Sequence, residues 1–370
     1  MAADRDRSWS PPTISEVAAE AGVGRASAAR TLGGYGYASP ELRDRVLAAA
    51  EKLGYRTNAL ARSMSTGISH TLGVIVADIG NPFFAGVVRG ISDTSRARGF
   101  DTIVLSTHEE LDEEKAAIGV LVDKRVDGII IASAALGRDA VDHITGTVDR
   151  GVPVVLLDRA IEHLNLASVV TDNREAARRA AELFIQNGHR RIGFIWGPAT
   201  TEPVTTRREL SAATSNNLWS DGERLRGYLD ALDDAGISFD PALVMTEEKT
   251  EENATHSVAR MLDLPAPITA ILCSETDATT GALRAVRASG LRYPDDVSII
   301  GFDDSSWAAV MDPPLTMIEQ PMLELGNRAA EILLDEIDGG NQTQLMHTLE
   351  SRFIERSSVT GPPPLRSRNP

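Results

Sequence analysis

Residues 13–64 read TISEVAAEAGVGRASAARTLGGYGYASPELRDRVLAAAEKLGYRTNALARSM, and the spacing of their apolar side chains decides what kind of chain this is. Ile14, Val17, Ala18 and Ala21 fall at i, i+3, i+4 and i+7, which is one face of a helix, and Gly22 breaks it. A second helix, from about Gly24 to Leu32, turns Ala28 and Leu32 inward. A break this short forces the two helices to cross steeply, as in a helix-turn-helix. Ser39 fits an N-cap and Pro40 a first helical position. Leu42, Val46, Ala49, Ala50 and Leu53 then share a face until Gly54 stops the third helix. An all-α head over 13–57 follows. Asn58 can cap a short hinge helix, 58–67, whose Leu60 and Met64 lie at i, i+4. Gly22, Gly24 and Ala28 also match a loose dinucleotide fingerprint, but that motif needs a β-strand in front, and what precedes Gly22 is helical. A three-helix module without a DNA role remains open on these residues alone.

From residue 68 onward, apolar runs alternate with helical stretches: GVIVADI (73–79), 83–98, DTIVLS (101–106), 113–124, GIIIAS (128–133) and VPVVLLD (152–158). A second series runs RIGFIWG (191–197), 221–235, TAILC (269–273), 276–289 and VSIIGFD (297–303). Strands apolar on both faces and joined by helices imply parallel, doubly wound sheets with both sides covered. Two lobes are expected within 68–360, roughly 68–165 with 305–325 and 166–304 with 326–360. Ligands of such sheets sit beyond the carboxyl ends of the strands.

The chain has 370 residues and a net charge of −16, which is too long for one typical domain. Residues 1–70 carry 9 Lys or Arg against 7 Asp or Glu, net +2, leaving −18 on the rest. Affinity for DNA must therefore sit at the front, because an acidic body repels phosphate. The single cysteine, Cys273, allows no internal disulfide and lies in an apolar run, as a buried strand residue would. No apolar run reaches the roughly 18 residues that span a membrane, and MAADRDRSWSPP has no apolar signal core, so a cytoplasmic protein is expected. Residues 1–12 and the tail GPPPLRSRNP (361–370) read as disordered. The seven His are scattered, and no phosphate-cradling or GxSxG motif occurs. Neither enzyme activity, catalytic residues, a metal nor a cofactor is expected. His189 reads as a surface or strand-edge residue. Glu109, Glu110, Asp112, Glu113 and Glu114 read as a solvated helix start.

Several motifs in order, 13–67, GVIVADIGNPFFAGVVRGI (73–91), GHRRIGFIWGP (188–198), SIIGFDD (298–304) and PPLTMIEQP (313–321), together resemble the LacI/GalR family of bacterial transcription regulators. The resemblance covers nearly the whole chain. It implies a homodimer, or a higher assembly, that binds a palindromic double-stranded DNA operator and a small effector, with a two-lobed body like that of periplasmic binding proteins. The second helix would lie in the major groove, with Arg25, Ala26, Ser27 and Arg30 exposed. An Arg pairs with guanine O6 and N7 in a bidentate way, while Ala26 offers only apolar contact to a thymine methyl. Arg25 is the main base reader, and Arg30 serves a phosphate or a local ion pair. Thr13 joins the DNA-facing set at the start of the first helix. Tyr35 and Tyr37 either reach phosphates or pack. In the hinge, Asn58 caps, small Ala61 lets two hinge helices approach, and Met64 stands where relatives push an apolar wedge into the minor groove. Ser27, Ala28 and Ala29 stand where relatives usually carry Thr-Val-Ser or similar, and Gly33 where they commonly carry an Asn.

For the effector, the strand ends offer Asp78, Asp158, Glu275 and Asp303, with Arg224 entering from a helix start. Carboxylates and one Arg suit a sugar, nucleoside or polyol, and Phe84 or Trp196 can cover an apolar sugar face. The resemblance points to Asp158, Arg224, Glu275 and Asp303 and adds Gln320. Glu275 departs from the family's Asn or Asp, and its longer, charged side chain suits a different hydroxyl pattern or a cationic ligand. Asp303 and Asp304 have a competing role in caps or turns, and Asp158 with Arg159 in a local ion pair. The stretch 200–220 is longer than in relatives and reads as a lid or effector-contacting loop more readily than a plain insertion. The alternative to a regulator is a cytoplasmic sugar-binding module without DNA function.

Overall fold

The computed structural model describes residues 12–33, 37–55, 67–136, 140–161, 163–200, 204–214, 218–340 and 343–364. The chain forms two compact units, Met1–His70 and Thr71–Pro370. Tyr35, Asn58, Ala61 and Met64 lie outside the described residues.

In the first unit, α1 (Ile14–Glu20) starts at Thr13, whose hydroxyl accepts the Glu16 amide while the Glu16 carboxylate accepts the Thr13 amide at 2.6 Å, a reciprocal capping box. Helix α2 (Arg25–Gly33) follows after Gly22, which sits at φ +64°. Helix α3 (Pro40–Leu53) has Ser39 as N-cap and ends at left-handed Gly54. Both caps fall where the sequence puts them. Val17, Ala18, Ala21, Ala28, Val46, Ala49 and Ala50 form the core, with Ile14, Val23, Leu32, Leu53 and Tyr55 packed on it. Small alanines at the centre let the three short helices close on one another.

The second unit holds two sheets. The first is built from β1 (Thr71–Val76), β2 (Asp101–Ser106), β3 (Gly128–Ile131), β4 (Val154–Leu157), β5 (Ser168–Thr171) and β10 (Met346–Leu349), in the order β10-β5-β4-β3-β1-β2 and parallel throughout. Helices α4 (Pro82–Ala97), α5 (Leu111–Asp123), α6 (Asp142–Asp149) and α13 (Met322–Ile337) go with it. The second sheet runs β11-β9-β8-β7-β6, from β6 (Ile192–Ile195), β7 (Ala270–Cys273), β8 (Ser298–Phe302), β9 (Thr316–Glu319) and β11 (Arg352–Ile354), with only β11 antiparallel. Its other helices are α7 (Asn173–Gln186), α8 (Arg207–Ala213), α9 (Trp219–Asp234), α10 (Glu251–Leu262), α11 (Thr276–Ala288) and α12 (Ser306–Val310). The inner strands β3, β4, β5, β7 and β8 are buried at every position, as doubly covered parallel strands must be. Gly326 on α13 admits the α4 backbone, since a Cβ there would strike the Val87 carbonyl.

The expected lobe boundaries need correction. β5 stays in the first sheet against β4, β9 (316–319) belongs to the second, and α13 returns to the first. The reason lies in pairing. The chain crosses between lobes near 172, 320 and 350, and the crossovers bond to one another. Ser351 N donates to Asp172 Oδ1 at 2.8 Å, and Thr171 Oγ1 donates to Gln320 Oε1 at 3.1 Å. Such partners are distant in sequence and leave no local period.

Two further expectations change. His189 is fully buried, with Nε2 donating to the Thr360 carbonyl at 2.7 Å and Nδ1 accepting from Thr269 Oγ1 at 2.9 Å, so it pins the C-terminal segment to the second lobe. Glu114 is fully buried as well, against the reading of a solvated acidic helix start. Cys273 is buried as expected, and burial pushes its thiol up to about 12.

Candidate functional site

Two surfaces carry the residues singled out above. On the head, Arg25, Ala26 and Arg30 of α2 are exposed and Ser27 is half-buried. Ala28, two residues beyond exposed Ala26 and so on the far side of the helix, is buried. Among the described residues neither Arg has an ion-pair partner, so of the two roles read for Arg30 the local pair is absent. Tyr37 is 92% exposed rather than packed. Thr13 spends its amide and hydroxyl on Glu16.

In the second unit, a cavity of about 280 Å³ opens between the lobes, and all eight expected side chains line it: Asp78, Phe84, Asp158, Trp196, Arg224, Glu275, Asp303 and Gln320. Seven reach it because they follow, or stand at a helix start beyond, the carboxyl end of a strand. Phe84 comes from the first turn of α4 and meets Phe83 edge-on at 5.0 Å. Asp158 and Asp303 both turn out of their strands in left-handed backbone, φ 62° and 68°. That conformation is uncommon outside glycine but tolerated by Asp.

Arg224 is locked before any ligand arrives. Its Nε donates to Asn173 Oδ1 at 2.7 Å, its Nη1 to the Ser274 carbonyl at 2.6 Å, and its guanidinium carbon stands 4.4 Å from the Phe302 ring centre. Gln320 Nε2 donates to Asp303 Oδ1 at 2.6 Å, so one crossover residue orients a cavity carboxylate. Asp158 Oδ1 and Trp196 Nε1 are buried without a protein partner. Each would cost about 1–3 kcal/mol if it stayed so, which favours a ligand or water able to donate to one and accept from the other.

Charge in the cavity is crowded. Burial raises Asp158 above the usual carboxylate range, with Arg159 and Arg224 opposing, and raises Asp303 against Arg224 and the Gln320 bond. Burial raises Glu275 as well, with Lys249 pulling the other way. For Asp221, beneath the wall, burial works upward, but Lys249 and Arg224 outweigh it and hold the carboxyl low. Lys249 is held charged by Asp221 and Glu275 despite its own burial penalty.

Sequence reasoning missed several lining residues. Arg159, in sequence only a neighbour and ion-pair partner for Asp158, does more. In the structure its Nη1 donates to the Ser133 carbonyl at 3.0 Å, it pairs with Glu109, and Nε lies 3.5 Å from Asp158. Behind it, the buried Glu114 accepts from Ser133 Oγ at 2.8 Å, the Ala134 amide at 2.5 Å and His143 Nε2 at 2.6 Å. Lys249 also lines the cavity, from a loop whose TEEKTEE sequence gives no signal beyond solvated charge. In the long 200–220 segment, residues 207–213 form α8, capped by Thr206 and anchored through fully buried Leu210. Ser220 reaches the cavity, and Trp219 is not among its walls. Among the described residues, no cluster of His, Cys, Asp or Glu could hold a metal ion, and no helix is long and apolar enough to cross a membrane.

Known proteins match along the same division. The family described as "Bacterial regulatory proteins, lacI family" matches residues 13–58, and "Periplasmic binding proteins and sugar binding domain of LacI family" matches 69–356. The sequence is 32% identical to the HTH-type transcriptional repressor CytR of Escherichia coli (strain K12), over 95% of this chain and 97% of that protein. The structure of a transcriptional regulator CelR–cellobiose complex is similar with a TM-score of 0.67 at 30% identity, covering 94% of this chain and 99% of that one. The lac repressor dimer bound to operator and the anti-inducer ONPF gives a TM-score of 0.79 at 24% identity over 95% and 100%, a likeness of fold alone.

Proposed function

The chain belongs to the lacI family of bacterial regulatory proteins and is a DNA-binding transcriptional regulator, and from that premise we propose a homodimeric repressor, acting in the cytoplasm, whose hold on a palindromic operator is set by a hydroxyl-rich effector in the inter-lobe cavity. The observation that carries the effector half is the convergence of Asp158, Asp303, Gln320 and a pre-anchored Arg224 on one cavity. Sugar, nucleoside or polyol hydroxyls donate to such carboxylates and accept from the guanidinium. CytR is named a repressor, and the CelR structure holds cellobiose. Both support this direction.

On DNA, Arg25 reads guanine, Ala26 meets a thymine methyl, and Ser27 and Arg30 take sugar-phosphate oxygens. Thr13 serves by fixing the start of α1. Tyr35, Asn58, Ala61 and Met64 complete the DNA-facing set, with Met64 as the minor-groove wedge. A two-fold operator needs a two-fold protein. The effector acts only through unequal affinity for the DNA-fit and DNA-unfit states. No catalytic residue is assigned. A sugar-binding module without DNA function is disfavoured by the capped head, whose Arg25 and Arg30 have no ion-pair partner among the described residues.

The test is a thermal-shift screen of the full chain against sugars, nucleosides and polyols, joined to operator selection from random DNA. Stabilisation by a member of the panel, and an enriched palindrome that it weakens or strengthens, is the expected result. A hit that Arg224→Ala binds equally well would remove the cavity from the reading. Selection without any palindrome would remove the paired heads.

A further inference from the structure

Resting on the reading that the cavity takes the effector, we propose that Lys249 is a specificity-determining residue: its ammonium fills, from within the chain, an alkylammonium subsite made by Asp221, Glu275 and the Trp196 ring, and so turns the cavity toward uncharged polyols and away from amine-bearing ones. The geometry is that of a ligand-binding niche whose occupant is tethered. Lys249 Nζ pairs with Asp221, stands 3.7 Å from Glu275 Oε1, and lies 5.8 Å from the centre of the Trp196 ring. Two carboxylates and an indole face around one nitrogen are what proteins use to hold a ligand ammonium. Here the side chains of Asp221 and Lys249 are 1% and 19% exposed, so the pair is largely withdrawn from solvent.

The loop carrying Lys249 has a built reason to stay. Thr250 caps α10, accepting the Asn253 amide at 3.1 Å, and Asn253 Nδ2 donates back to the Glu248 carbonyl at 3.0 Å. Arg224 cannot substitute for the ammonium, because two of its three nitrogens are already spent on Asn173 and Ser274. With Lys249 in place, a ligand amine meets like charge at this end of the cavity. With Lys249 cut back, Asp221 and Glu275 face an empty niche that an alkylammonium ion would fill.

Chemical rescue tests this without knowing the effector. Purified full-length Lys249→Ala should melt below wild type, and ethylammonium chloride should raise its melting temperature by a few degrees more than sodium chloride at equal ionic strength, while wild type responds equally to both salts. No difference between the salts for the variant, or the same difference for wild type, overturns the proposal. Should Lys249→Ala be too unstable to purify, Asp221→Asn added to it should restore folding and abolish the amine response. Failure to restore folding counts against the niche. In matched pairs, glucose with glucosamine and galactose with galactosamine, stabilisation of wild type by the amine above its parent also overturns it. If no sugar, nucleoside or polyol binds at all, the cavity reading fails, and the rescue experiment still decides the role of Lys249.

Discussion

The two lobes share a doubly wound α/β architecture and brace their halves of the cavity differently. Behind the first wall a single buried carboxyl group, Glu114, gathers Ser133, the Ala134 amide and His143, and the Ser133 carbonyl in turn receives Arg159. The second wall is made of charges set against one another, Asp221 and Glu275 around Lys249, with Arg224 clamped beside them. A hydrogen-bonded hub fixes shape, because every partner has a direction. Opposed charges fix a potential, because one partner can be exchanged for a ligand group of the same sign. The hub therefore shapes the first wall, which also carries the Arg159–Glu109–Asp158 cluster, while the charge on Lys249 in the second bears on which ligands enter.

Arg224→Ala should break the comparison most, raising the effector dissociation constant by about 100-fold or more, since it leaves desolvated partners behind. Titration calorimetry reads this, and operator affinity measured by anisotropy should not move. Glu114→Ala should cost about 2 kcal/mol in urea unfolding by orphaning buried groups, with Glu114→Gln costing less. If both variants are neutral, the hub is not what fixes the first wall. Arg25→Ala lies outside both lobes and serves as the contrast. It should weaken the operator by about tenfold and relax one position in a binding-site selection, with effector affinity unchanged.

The smallest effect is electrostatic. Burial, against the Thr360 carbonyl bond, lowers His189 below its ordinary 6.5, so its neutral form is the stable one in the fold. A depressed folded value means that its contribution is complete above 6.5 and drains away as pH falls through the lowered folded value. His189→Gln should lose stability less steeply than wild type on acidification from neutral pH toward 5, read as unfolding midpoints. Parallel slopes would show that His189 does not titrate with unfolding.

How much of this was legible in the sequence follows from the range of each cause. Helix faces, the Ser39–Pro40 start and the Gly54 stop are local, and the structure keeps them. Asp78, Asp158, Glu275 and Asp303 were legible because doubly wound strands end on one side, which turns strand ends into a list of neighbours, whereas Gln320 came only from the family resemblance. Glu114, His189 and Lys249 were not. Their sequence surroundings are those of solvated charge, and only partners 19 to 171 residues away, Ser133 and Thr360 among them, take them out of water. The crossovers escaped for the same reason. Nothing near Asp172 announces that Ser351 will bond to it.

That triple crossing also sets an order of manufacture. The head is closed by residues 13–55, whereas β10 and β11, one for each sheet, come from residues 346–354. On the ribosome, then, the part that meets DNA is made well before the strands that seal the part that answers to a metabolite. A transcript cut short before codon 346 would encode a head with an unsealed receiver. Quality control of this protein is, in effect, control over whether its DNA binding is answerable to anything.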